Sequence, residues 1–135
     1  MEMKRILVAY DGGEPARRAL DLAIDLAKRF DAEVGVVSVV PVHGGRAPVD
    51  PWDDRAVHMA ELAKARTILV ERGIEPVLYE PAGETARTIE QVAEDGDYDT
   101  IVIGFRGLGT VSRVLQGSVS EHVATHAGGT VIVTR

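Results

Sequence analysis

The chain has 135 residues, 45% of them hydrophobic, with no cysteine and a net charge of −6 from 15 basic and 21 acidic side chains. That length and apolar content suit one domain over residues 1–135 with one sizeable core, and the missing thiols exclude disulfides, cysteine-based zinc sites and iron–sulfur clusters. The acidic balance repels polyanions and the 4% aromatic content leaves few stacking platforms, so neither nucleic acid nor an anionic membrane is the expected partner.

The first apolar run, 5–10, ends at Asp11. It is too short for a signal peptide or a membrane span and, with the absent cysteines, fits a reducing, cytoplasmic setting. Ala16, Ala19, Leu20, Ala23, Ala27 and Phe30 then recur at helical spacing. A second run, 33–40, is followed by a stretch to Asp54 that is rich in Pro, Gly and Asp and contains Trp52, which reads as a surface loop. Ala56, Met59, Ala60, Ala63, Thr67 and Val70 mark a second helix, 75–79 a third strand, 84–94 a third helix and 100–103 a fourth strand. A Gly-rich stretch, 104–117, leads into a last helix over 118–126, and the run 130–134 closes the chain. Most of the strands are continuously apolar, as strands buried on both faces are. The alternation of strand and helix predicts an α/β fold: a doubly wound five-stranded parallel sheet, order 3-2-1-4-5, with helices on both faces.

In such a sheet, ligands sit at the carboxyl ends of the strands where the winding reverses. The expected crevice is flanked by Ala9, Tyr10 and Asp11 on the first strand and by Ile103 and Gly104 on the fourth. Gly104-Phe105-Arg106-Gly107-Leu108-Gly109 follows, with Gly117-Ser118-Val119-Ser120 at the start of the last helix. Glycines let backbone approach an anion closely, and a helix N-terminus offers unpaired N–H donors and a favourable dipole, so the two pieces together make a phosphate cradle. The same residues also suit tight turns and a serine helix cap. Neither G-x-x-x-x-G-K-[ST] nor a dinucleotide fingerprint after the first strand is present.

Gly104, two residues, Gly107, nine residues and Gly117-Ser118 reproduce the G-2x-G-9x-G-(S/T) signature of the nucleotide-binding branch of the universal stress protein family. The opening Lys4-Arg5-Ile6-Leu7-Val8-Ala9-Tyr10-Asp11-Gly12 and the closing Gly117-Ser118-Val119-Ser120-Glu121, His126-Ala127 and Val131-Ile132-Val133 resemble the same family, so the likeness covers essentially the whole chain. The resemblance implies a stress-response sensor or regulator that binds ATP or AMP. It gives Asp11 a nucleoside contact with Ala9 and Tyr10 beside it, and packs Val39 on the adenine. It sets Gly104, Arg106, Gly107, Gly117 and Ser118 around the ribose and phosphates, with Val119 and Ser120 extending the helix start. Mg²⁺ accompanies the triphosphate in this reading, since no dense basic cluster is available to neutralise it. Phe105 replaces a small hydroxyl residue, Gly13 a common Ser, and Gly128-Gly129 a Pro-containing pair. None of these removes an implied phosphate contact.

Two other classes compete. A nucleotide hydrolase needs a positioned base or water and strong charge neutralisation, for which Arg106 and Arg113 are the local supply, so any turnover is expected to be slow. A phospho-accepting receiver domain needs an acceptor Asp after the third strand and a Lys after the fifth; the sequence has Tyr79-Glu80-Pro81 and Arg135 there. His122 and His126 lie i, i+4 without a supporting H-E-x-x-H motif, and are expected as partly exposed helix histidines; His43 and His58 read as isolated and solvated. Ser38, Ser112, Ser118 and Ser120 form no G-x-S-x-G elbow. The closing strand carries no charge before Arg135. An undefended edge invites pairing about a two-fold axis, and the resemblance points the same way, to a homodimer through the last strand.

Overall fold

Arg5–Ala9 forms β1, and its middle residues Ile6, Leu7 and Val8 are fully buried, as the unbroken apolar run requires. The computed structural model describes residues 3–41, 55–104, 119, 121–125 and 127–135. Along the chain, β1 is followed by α1 (Glu14–Phe30), β2 (Glu33–Val37), β3 (Val40–Pro41), α2 (Arg55–Glu71), β4 (Val77–Tyr79), β5 (Ala82–Gly83), α3 (Thr85–Asp95), β6 (Thr100–Gly104) and β7 (Thr130–Thr134). Val119 and residues 121–125 are helical, where the last helix is predicted; Ser118 and His126 at its ends lie outside the described residues.

The five-stranded sheet has the order β4-β2-β1-β6-β7, and every pair in it is parallel. Counted along the main sheet this is the predicted 3-2-1-4-5. One core holds α1 and α2 against the sheet through Ala19, Leu20, Ala23, Ile24, Leu62, Ala65 and Leu69. The opposite core holds α3 and the last helix through Ala86, Ile89, Ala93 and Val123. The α1 stripe matches the predicted one except at its end, since Phe30 is exposed past the last turn that touches the sheet.

Three local expectations need correction. The predicted second strand, 33–40, is two pieces: β2 stops at Val37, and β3 pairs with β5 in a separate parallel ribbon, Val40 against Ala82. Pro81 lies opposite the break and has no N–H to continue the ladder. The third main strand starts at Val77, two residues later than predicted, because Pro76 cannot donate either. In α2 the predicted apolar stripe Ala56, Met59, Ala60, Ala63, Thr67 and Val70 is the exposed face, and the helix is seated through Leu62, Ala65 and Leu69. Both faces of this helix carry apolar residues at helical spacing, so periodicity alone selects neither. Most of the predicted loop with Trp52, at 42–54, falls outside the described residues.

Candidate functional site

Winding reverses between β1 and β6. The chain leaving β1 crosses through α1 toward β2, while the chain leaving β6 goes on to the opposite edge, so a crevice opens at the carboxyl ends of these two adjacent central strands. On the β1 side Asp11 is exposed, and its Oδ1 accepts a hydrogen bond from the Gly13 N–H at 2.9 Å. This Asp turn, with Gly12 at φ +82°, hands the chain to α1, which Gly13 caps without a side chain and which carries Pro15 in its first turn. A side chain at Gly12 would meet strained backbone and the Glu61 carboxylate of α2.

On the β6 side Gly104 is the last residue of its strand and pairs with Thr134. A Cβ here would lie 2.5 Å from the carbonyl carbon of Pro15. The absent side chain therefore lets the end of β6 pack directly on the first turn of α1, which brings the Asp11 turn and the start of the Gly-rich segment to one place.

The remaining site residues divide between the two faces. Val39 and Ile103 are buried in the α3-side core, and Ala9 and Val119 pack against it. Tyr10 belongs to the other face: its phenol is buried among α1 and α2 residues, while its N–H bonds the Val37 carbonyl at 2.9 Å. Burial, and then the Glu61 carboxylate, push the Tyr10 phenol above its ordinary value, so it is neutral. Arg106, Gly107, Gly117, Ser118 and Ser120 lie outside the described residues.

Polar residues that periodicity did not single out gather at the same end of the sheet. His58 is not isolated as expected: its Nδ1 lies 2.7 Å from Ser38 Oγ, and Ser38 is buried. Arg55 Nη1 donates to Glu80 Oε1 at 2.6 Å. A histidine and an arginine three residues apart on α2, between one strand-end polar residue, Ser38, and another, Glu80, were the available signal. His122 is half-exposed and bonds Glu90 of α3 at 2.8 Å, which ties the last helix to α3. Among the described residues no group of three or more His, Asp or Glu side chains is placed to hold a metal ion, and no helix is long and apolar enough to cross a membrane.

The model of the universal stress protein family matches residues 2–135. A Staphylococcus epidermidis protein named as a universal stress protein is 31% identical over 139 residues, covering 98% of this chain and 84% of its own. Universal stress protein UspA from Lactobacillus plantarum superposes with a TM-score of 0.75 at 28% identity, over 100% of this chain and 99% of its own. The universal stress protein from Archaeoglobus fulgidus, solved in complex with dAMP, gives a TM-score of 0.78 at 28% identity over all of both chains.

Proposed function

We propose that this chain, which belongs to the universal stress protein family, is a cytoplasmic adenine-nucleotide-binding regulator that holds AMP or ATP at the crevice between β1 and β6. The observation that carries this reading is the direct packing of Gly104 on the first turn of α1, which joins the Asp11 turn to the start of the glycine signature. The adenine lies toward Asp11 and Val39. Phosphates lie along the segment from Gly104 through Arg106 and Gly107 to Gly117 and Ser118, where backbone N–H groups and a helix N-terminus neutralise charge that the acidic chain as a whole does not. Ala9, Tyr10, Ile103, Val119 and Ser120 shape the surrounding walls. Mg²⁺ accompanies ATP as a second neutralising charge. The dAMP complex of the Archaeoglobus relative supports this choice of ligand class.

Binding rather than turnover is the proposed role, because phosphoryl transfer needs a positioned base or water and strong charge neutralisation, for which the sequence near the glycine signature supplies only Arg106 and Arg113. Mass spectrometry of small molecules released by denaturing freshly purified protein tests the ligand class. An adenine nucleotide is expected, whereas a guanine or pyrimidine nucleotide as the released species contradicts the proposal.

A further inference from the structure

Two consecutive glycines follow Asp11, so the turn that hands β1 to α1 has little stiffness of its own. Gly12 sits at φ +82°, and Gly13 caps α1 with backbone alone. The Gly13 N–H bonds Asp11 Oδ1 at 2.9 Å, which closes the turn on itself without tying it to a neighbouring element. Where the turn stands in the protein therefore depends on what packs around it.

That packing comes from two sides. On one, the end of β6 presses on the first turn of α1, because Gly104 has no side chain to keep the Pro15 and Ala16 backbone away. On the other, the Glu61 side chain of α2 lies over Gly12, and a Cβ on Gly12 would fall 2.5 Å from the Glu61 carboxyl carbon. The residue after Glu61, Leu62, is part of the core that seats α2 on the sheet, so the backbone that carries this carboxylate is itself fixed. Its Oε1 is 3.4 Å from Lys64 Nζ, one turn further along the helix, and its Oε2 is turned to Gly12. A helix-surface glutamate ordinarily extends into water, yet the Glu61 side chain is only 16% exposed, against 69% for Lys64 beside it.

We propose that Glu61 is a positioning residue for nucleotide binding, which fills the space behind Gly12 and so holds the Asp11 turn where it meets the nucleoside. This rests on the nucleotide-binding reading above. Glu61 stands on the α2 side and acts through the turn, with no contact to the ligand. Without its support the two glycines sample more conformations, and ordering them on binding weakens affinity. The contact with Gly12 is one of shape, so an amide of the same size serves as well as the carboxylate.

Calorimetric titration of AMP into the wild type, Glu61→Ala and Glu61→Gln, with hydrogen exchange of the Gly13 amide followed in the ligand-free proteins, tests the proposal. Fixing one further backbone residue at binding corresponds to about tenfold in affinity, so AMP binding about tenfold weaker in Glu61→Ala is expected, with Glu61→Gln close to wild type. Exchange at Gly13 is expected to be faster in Glu61→Ala than in the other two proteins, since the turn opens locally. Wild-type AMP affinity in Glu61→Ala overturns the proposal, as does an equal loss in Glu61→Gln or a loss of affinity with Gly13 exchange unchanged; each leaves nucleotide binding standing. A wild type that binds no AMP overturns the nucleotide reading and the positioning role together. If Glu61→Ala does not fold, Glu61→Asp, which withdraws the carboxylate from Gly12 by one methylene, decides by the same two measurements.

Discussion

Tyr98 lies just ahead of β6, with its ring buried, its hydroxyl 2.8 Å from that of Tyr79 and the Arg5 guanidinium 4.6 Å from its centroid. Burial, and then the hydrogen bond to Tyr79, hold its phenol far above the ordinary value of 10.0, while Arg5 pulls weakly the other way. The sign follows from linkage. In the unfolded chain the phenol ionises near 10.0, whereas in the folded protein it stays protonated, so the stabilisation is fully present below pH 10.0 and is lost as pH rises from there toward the folded value. Urea midpoints measured from pH 8 to 11 are therefore expected to hold level and then fall above pH 10, with a shallower fall in Tyr98→Phe. A wild type and a variant with the same alkaline slope would count against this. Tyr98 gave little signal in the sequence, because a single tyrosine before a strand shows neither its burial nor its partners. Gly104 gave a strong signal through its spacing to Gly107 and Gly117, but the spacing points to phosphate, and contact with Pro15 emerges only when the strand end and α1 are placed together.

At the scale of elements, strands were more legible than helix faces. A strand buried on both sides needs apolar residues everywhere, so β1, β2 and β6 stand out without any knowledge of orientation. Helix α2 carries Ala and Met on one side and Leu62, Ala65 and Leu69 on the other; the side that meets the sheet carries the larger Leu side chains and is accompanied by the contacts of His58 with Ser38 and Arg55 with Glu80, which period alone does not reveal. The prolines at 76 and 81 set strand limits by withholding N–H groups, a rule readable in advance but outweighed by the β-branched runs around them. At the far edge, β7 pairs with β6 on one side, and Val133 is 41% exposed. We propose that this edge joins two copies antiparallel about a two-fold axis, which closes the assembly without propagation. Multi-angle light scattering is expected to show a dimer for the wild type and a monomer for Val131→Lys combined with Val133→Lys. A monomeric wild type at high micromolar concentration contradicts the proposal, and a variant that stays dimeric moves the interface elsewhere.

For the molecule as a whole, the topology follows from two facts visible in the chain: five apolar runs separated by helix-length segments, and the right-handedness of parallel crossovers. These place β1 and β6 side by side and open a crevice at Asp11 and Gly104, so the place of the candidate site was legible before the contacts around it were. The polar cluster of Ser38, His58, Glu80 and Arg55 was not, since its members are scattered over 43 positions and meet only once α2 is docked across β2 and β4. The central claim is that the glycine segment after β6 receives the phosphates of an adenine nucleotide. Replacing Gly117 by valine puts a branched side chain where the phosphates are proposed to meet helix N–H groups. Titration calorimetry of AMP into the wild type and Gly117→Val, with circular dichroism to confirm that both are folded, tests the claim most directly. Saturable binding of one AMP per chain by the wild type, lost in a folded Gly117→Val, is the expected result; AMP binding of equal strength in both proteins, or in neither, would contradict it.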